Sequence, residues 1–571
     1  MRKLVFSILT VFILISCSKE QSISKQYFEL FRSSYTGNSA YETTTFVEKY
    51  WRIAGNSGFN NSVYYIEEKL KKAGYVLESN ATESDRLVYR IEEREMRNPT
   101  WEPVSASLQI VGQDAPILEQ ITNRNMVYLN SSSTPSEGVK SEVIHIHDMK
   151  DFETIDVEGK IVFAEMSPYR LYETAILEGG AIGLITYNNP AYLQPEKNDT
   201  SIQFRAIPFN KDYPVWGIAL SYKAKEALKT ELQKGSLEVA VTIETKIYPS
   251  KELTIIASII GSELPEESLV MSAHIQEPGA NDNATGVGVQ LEMAELAASK
   301  INAGELDTKR TLVMLWGDEI ISTRRYVKEK EKRNSIINWG LSLDMVGENT
   351  SITGGSFLIE KMPDPSAIWT RGKDKHSEWG GEVLKEEDMM PHYFNDFMIS
   401  IFEEQGAFAN WEVNTNPFEG GSDHIPFLKE NIPGLLLWHF TDQFYHTDND
   451  RLDKVSQETL RNVGTGALVS AFTLLNADTL TALEILKLLE ERAASRIEDE
   501  FILSADIIKN GGELESELLI LKSWNKWYVA AIQSVSDISN ADQEQLKKAI
   551  ESATNQLNLL TSSKIEELNN L

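Results

Sequence analysis

Four apolar runs, each leading into a histidine or a carboxylate, constrain this chain more than any other feature. The first, Leu269-Val270-Met271, reads as a buried strand and ends at His274. A Pro278-Gly279 turn follows, then Asp282, then the helical pattern Val287, Val289, Leu291, Met293 and Leu296. A histidine therefore closes a strand, and an aspartate opens the next helix, whose N-terminus favours a carboxylate. The second run, Thr311 to Trp316, leads into Gly317-Asp318-Glu319. The third, Leu341-Ser342-Leu343, carries Asp344 in apolar surroundings, which costs free energy unless the carboxylate is paired or bound to a cation. The fourth, Gly434 to Phe440, is followed by Tyr445-His446-Thr447. Strands alternating with helical patterns imply an α/β fold with a mostly parallel sheet. In such sheets, ligands gather at the carboxyl edge of the strands. One such histidine alone is an ordinary hydrogen-bonded residue, but four segments of the same design describe a site.

The residue types at that edge suggest a metal centre. Cys17 is the only cysteine, so a thiolate site is excluded and any metal must be held by His, Asp and Glu. Two histidines and three carboxylates suit a pair of zinc ions sharing one carboxylate, with positions left open for substrate. His145 and His147 alternate on one strand face without a third partner, and read as surface residues.

A chain of 571 residues is too long for one domain and implies roughly three or four. Its 42% hydrophobic and 25% charged content is that of a globular protein, and the net charge of −30 argues against nucleic acid as a partner. Met1-Arg2-Lys3, the apolar stretch Leu4 to Ile15 and Leu14-Ile15-Ser16-Cys17 resemble a bacterial lipoprotein signal with its lipobox. That resemblance implies cleavage before Cys17, lipid attachment to its thiol, and anchoring in the outer membrane of the bacterial cell envelope, facing periplasm or cell surface. Residues 18–39 read as a polar tether. Residues 40–124 read as helices and then strands that begin the catalytic domain, with Arg52 to Gly58 as a loop. Residues 249–478 read as its core. Residues 479–571 read as a helical appendage, with Leu518, Leu521, Trp524 and Trp527 at helical spacing as a core stripe.

Two resemblances extend this reading. Val157 to Phe163 and Gly179 to Ile185, each a turn into a strand around a helical stretch, make residues 125–248 similar to the protease-associated domain inserted in many secreted peptidases. His274, the block Gly279 to Gly286, the pair Asp318-Glu319, Leu343 to Gly347, the block Gly420 to Phe427 and Tyr445-His446-Thr447 resemble the co-catalytic zinc exopeptidases. That family includes bacterial leucyl aminopeptidases, aminopeptidase Y, glutamate carboxypeptidase and glutaminyl cyclase. The resemblance implies a mixed, mostly parallel sheet with helices on both faces, and hydrolysis of peptide substrates by a metal-activated water. By it, Asp282 bridges two zinc ions, His274 and Asp344 complete one position, and Glu319 and His446 complete the other. The residue before the glutamate ligand is the general base, here Asp318. Gln276, Asp423, His424 and Tyr445 stand behind the ligands or face substrate.

The chain departs from the family in three places. The base position holds aspartate where glutamate is usual. The segment after Glu319 is about two residues shorter than the family pattern, which leaves Glu319 as an alternative base with another residue as ligand. Gln276 stands where the family has an aspartate two residues after the first histidine. The leading expectation is an aminopeptidase. The alternatives are a single-zinc acyltransferase of the glutaminyl cyclase type and a degenerate member that binds peptides without cleaving them.

Overall fold

The computed structural model describes residues 24–538 and 543–571. Cys17 and the segment read as a lipoprotein signal lie outside the described residues. No helix among the described residues is long and apolar enough to cross a membrane.

The main sheet has nine strands: β1 (Val76–Leu77), β2 (Leu87–Glu95), β3 (Lys251–Ile259), β4 (Leu264–His274), β5 (Arg310–Gly317), β6 (Ile336–Leu343), β7 (Ser356–Glu360), β8 (Asn414–Asn416) and β9 (Gly434–Phe440). Their spatial order is β1-β2-β3-β5-β4-β6-β9-β7-β8. The four central strands, β5, β4, β6 and β9, run parallel, with antiparallel pairings at the flanks. Leu269, Val270, Met271 and Ala273 of β4, and Leu312 to Trp316 of β5, are all buried. Such unbroken apolar runs belong to parallel strands covered on both faces. One face is covered by α1 (Asn38–Val47), α2 (Ser57–Lys72), α3 (Ala284–Asn302) and α6 (Gln457–Leu475). The other packs Val270, Val313 and Leu315 against Tyr326 and Val327 of α4 (Ile321–Lys328).

α3 starts at the carboxyl edge because Asn283 caps it, accepting a hydrogen bond from the Gly286 N–H at 3.0 Å. Its other end of contact is α1. A Cβ at Gly288 would lie 2.4 Å from the Ala40 carbonyl oxygen, so only glycine lets the two helices approach this closely. Glu292 of α3 accepts the Gly37 and Ala40 N–H groups at 2.9 and 2.8 Å, placing a carboxylate at the N-terminus of α1.

A second sheet of seven strands carries its own core, from Trp101 to Ile243. Its strands Val139–Ile146, Ile161–Ala164, Gly183–Thr186 and Trp216–Ala219 are parallel. The boundary expected at residue 125 is corrected here. Strand Thr100–Ile110 pairs along its length with Glu238–Tyr248, while β2 pairs with β3. The chain thus passes between sheets at residues 96–99 and 249–250. Residues 100–124 belong with the insert because strand partnership decides sheet membership.

The tether expected over residues 18–39 is also corrected for its described part. Lys25–Phe31 is a helix, and Phe28, Phe31 and Tyr35 are buried. Phe31 lies 5.6 Å from the Phe472 ring, and the Tyr35 hydroxyl donates to the Val289 carbonyl at 3.0 Å. Each buried aromatic contributes roughly 1.5–3 kcal/mol, enough to dock a two-turn helix that polar neighbours alone would leave in solvent.

Three long helices end the chain: α7 (Thr479–Lys509), α8 (Leu514–Ser534) and α9 (Gln543–Asn569), numbered after α5 (Phe394–Ala409) and α6. Leu521, Trp524 and Trp527 are buried in their shared core. Trp527 donates to the Pro363 carbonyl at 3.2 Å, which ties this helical region to the segment after β7.

Candidate metal centre

Parallel strands bring their ends to one edge, and the polar residues there meet. His274 ends β4, Asp318 and Glu319 follow β5, Asp344 follows β6, and His446 lies on the loop after β9. His274 Nε2 is 3.2 Å from Asp344 Oδ2, 3.8 Å from Asp282 Oδ1 and 4.0 Å from Glu319 Oε1. His446 Nε2 is 3.0 Å from Asp282 Oδ2 and 2.7 Å from Glu277 Oε2. Asp282 therefore presents one oxygen to each imidazole. Two groups of potential ligands result: His274, Glu319 and Asp344, and Glu277, Asp282 and His446. Glu319 stands with His274 here, and Glu277 occupies the carboxylate position beside His446.

The charges fit a cation. Burial pushes the Asp282 carboxyl well above its ordinary range, reinforced by Glu277 and Asp344 and opposed by His446. Glu319 is raised in the same way, first by burial, with His274 opposing and Glu277 and Asp344 adding. For both imidazoles burial would lower the pKa. Asp344 and Glu319 around His274, and Glu277 and Asp282 around His446, outweigh it and hold both well above the usual value. This edge demands positive charge, which arrives as protons on the imidazoles or as metal ions. His274 Nε2, Asp344 Oδ1 and Glu277 Oε2 are buried and form no hydrogen bond. Buried polar atoms of native proteins rarely go unsatisfied, so these three mark places for ligation.

Residues behind the ligands fix their aim. His274 Nδ1 faces the carbonyl oxygen of Gln276, which only accepts, so Nδ1 carries a hydrogen and Nε2 is the nitrogen aimed at the carboxylates. Asp450 accepts the N–H groups of Asn281 and Asp282 at 2.9 and 3.0 Å. A Cβ at Gly279 would lie 2.1 Å from Asp450 Oδ2, so this contact requires glycine there. Arg52, fully buried, donates to the carbonyls of Ile275 at 2.8 Å and Gly279 at 2.7 Å, clamping the loop from below. Ser422 donates to Asp344 Oδ2 at 2.8 Å.

The remaining expected site residues are placed as follows. The Asp318 N–H donates to Ser322 Oγ at 2.8 Å, and burial, aided by Asp423, pushes its carboxyl up to about 7. Asp423 accepts the Ile320 N–H at 2.6 Å. Gln276 accepts the Glu319 N–H at 2.7 Å and donates to Glu319 Oε2 at 3.4 Å. Tyr445 stacks on His446 with ring centroids 3.8 Å apart. His424 is set back from the edge, paired with buried Glu360 at 2.9 Å. Glu277, Asp450 and Glu360 were not singled out in the sequence. A signal existed only for the first two: Glu277 stands in the short run His274 to Asp282, and Asp450 lies four residues after His446.

The second sheet closes over this edge. The Phe204 N–H donates to the His446 carbonyl at 2.9 Å, and the Ile202 N–H to Asp448 Oδ1 at 2.8 Å. Tyr192 of the insert lies 6.5 Å from the Tyr445 ring. A cleft of about 760 Å³ lies between the insert and the main sheet, lined by Tyr192, Gln194, Thr353, His376, Phe440 and Thr441, and none of the candidate ligands lines it.

Comparison with known proteins agrees with this architecture. Aminopeptidase YwaD of Bacillus subtilis (strain 168) is 24% identical over 358 residues, covering 58% of this chain and 67% of that protein. Carboxypeptidase Q of Bos taurus is 24% identical over 363 residues, covering 59% of this chain and 66% of that protein. Among solved structures, BSAP, a zinc aminopeptidase from Bacillus subtilis, superposes with a TM-score of 0.52 at 18% identity, covering 76% of this chain and 94% of that one. A peptidase M28 precursor from Shewanella amazonensis SB2B gives 0.55 at 17% identity, covering 80% and 96%. At such identities the two structural matches establish the fold. Residues 254–471, which hold every strand end described above, match the model of Peptidase family M28.

Proposed function

We propose that the protein is a zinc-dependent exopeptidase with two zinc ions, removing residues from the free N-termini of peptides. The observation that carries this reading is Asp282, whose two oxygens stand 3.8 and 3.0 Å from separate imidazoles. A carboxylate so placed could be shared by two metal ions, one beside each imidazole.

His274, Asp344, Asp282 and His446 would hold the ions, together with further carboxylates at the same edge. When bound, zinc supplies a Lewis acid for the scissile carbonyl and lowers the pKa of water. The chain's own residues do the rest. Asp318 takes a proton from the attacking water as its oxygen bonds to the carbonyl carbon. As the C–N bond breaks, Asp318 returns that proton to the leaving amine nitrogen. The Ser322 hydroxyl, on the Asp318 N–H, and Asp423, on the Ile320 N–H, hold the backbone around it.

The test is a zinc-replete assay comparing aminoacyl anilides, their N-acetylated forms, C-terminal dipeptide substrates and peptides with N-terminal glutamine. Turnover of the free aminoacyl anilides alone supports an aminopeptidase. Turnover only of blocked peptides from the C-terminal side, or cyclisation of glutamine, overturns it. On sequence grounds alone, Cys17 is the lipid acceptor in this proposal. Labelling with a palmitate analogue is expected in the wild type and absent in Cys17→Ala.

A further inference from the structure

Glu277 sits on the short loop between His274 and Asp282, one residue after Gln276. Its Oε2 lies 2.7 Å from His446 Nε2, the nitrogen that Asp282 Oδ2 approaches at 3.0 Å. The ligand atoms of Glu277, Asp282 and His446 all lie within 4.8 Å of one another. Glu277 Oε2 is buried and, although close to the imidazole, makes no hydrogen bond. A buried carboxylate oxygen that faces an imidazole without a hydrogen bond is placed to take a cation instead.

Glu319 is drawn the other way. Gln276 holds it at two points, accepting its N–H at 2.7 Å and donating to its Oε2 at 3.4 Å. An aspartate at position 276 could not make that donation and would repel Glu319 instead. The backbone beyond is also pinned. Ile320 has a φ of 60°, a conformation strained for a β-branched residue, and Asp423 accepts its N–H at 2.6 Å. The segment before α4 thus keeps Glu319 on the His274 side, with Oε1 4.0 Å from His274 Nε2. The neutral amide at 276 and the acid at 277 act as one exchange.

We propose that Glu277 is the terminal carboxylate of the metal position at His446, and that Glu319 serves the position formed by His274 and Asp344. This rests on the two-zinc reading above and changes which carboxylate serves which ion.

The test counts zinc per folded chain after loading with zinc and desalting, with circular dichroism on every variant. The wild type is expected to hold about two ions and Glu277→Gln about one. His274→Ala and His446→Ala each leave one position, so double variants report which position a carboxylate serves. Glu277→Gln is expected to cost nothing further in His446→Ala, and to remove the remaining ion in His274→Ala. Glu319→Gln is expected to do the reverse, which decides the question even if Glu277→Gln fails to fold. The proposal is overturned if Glu277→Gln retains both ions, or if Glu319→Gln costs nothing further in His446→Ala. A wild type that binds no zinc removes the proposed function itself, an outcome distinct from a wild type with two ions and the wrong pairing.

Discussion

Two buried clusters of charge in this molecule are built on opposite plans. At the carboxyl edge of the main sheet, Glu277, Asp282, Glu319 and Asp344 surround two imidazoles with no lysine or arginine among them. Between the segment after β7 and the C-terminal helices, Asp364, Asp374, Glu500 and Glu517 each have a cation. Lys361 lies 3.0 Å from Asp364 and 3.1 Å from Asp374. Arg371 reaches Glu500 at 2.7 Å and Glu517 at 2.5 Å, and Arg496 reaches Asp374 at 2.7 Å. The consequences follow directly. Burial would raise the Asp374 carboxyl, but Lys361 and Arg496 outweigh it and hold it low. At the sheet edge burial and neighbouring acids raise Asp282 and Glu319 together. The compensated cluster is complete as protein and joins two parts of the chain. The uncompensated one is complete only with added positive charge, and such imbalance marks functional sites more often than structural ones.

The comparison breaks most visibly at Asp282. Asp282→Ala removes the oxygen facing each imidazole, so loss of both zinc ions and of all measurable turnover is expected, with far-UV circular dichroism unchanged. Retention of two tightly bound ions would mean that Asp282 does not bridge. Next in size is Asp318→Asn, which keeps shape and hydrogen bonding but cannot take a proton. Turnover is expected to fall roughly 100-fold to 10,000-fold, with zinc content at the wild-type level. Full turnover with full metal would assign proton transfer to another acid.

On the other side of the comparison stands Arg371→Ala, which leaves Glu517 buried without a guanidinium and Glu500 with Arg496 alone, at 3.3 Å. A loss of about 3–5 kcal/mol is expected, read as faster hydrogen exchange in α7 and α8 and a lower melting temperature, with zinc content intact. Coupled loss of zinc would show that the two clusters are not independent. The smallest effect is metal removal from the wild type by a chelator. Ligand-linked stabilisation is about 2.7 kcal/mol at a hundredfold excess over Kd, so the melting temperature is expected to fall on chelation and recover with added zinc. The same chelator is expected to leave the exchange protection of α8 unchanged.

The contrast also shows where the amino-acid sequence was legible. His274, Asp318, Glu319 and Asp344 terminate apolar runs long enough to be strands, and parallel strands bring their ends to one edge. The mixed α/β class and the helical C-terminal region follow from the same period-based reading of apolar residues. Neither the insert boundary nor the tether was legible in this way. Thr100–Ile110 alternates as a strand in either sheet, and only its register with Glu238–Tyr248 assigns it. Tyr27, Phe28 and Phe31 look like a few aromatics in a polar stretch until Phe472 is found beside them.

What the sequence determined by itself is the set of residue types delivered to the sheet edge, because strand length and apolar content are local properties. The absence of cysteine beyond Cys17 likewise restricted ligation to imidazole and carboxylate before any coordinates were known. Only the tertiary structure decided which carboxylate faces which imidazole. Glu277 and Glu319 are 42 residues apart in sequence, and their positions beside His446 and His274 depend on an amide at Gln276, a positive φ at Ile320 and a loop clamped by Arg52 and Asp450. Those contacts join segments distant along the chain, and through-space distance, which no local pattern encodes, sets the coordination they permit.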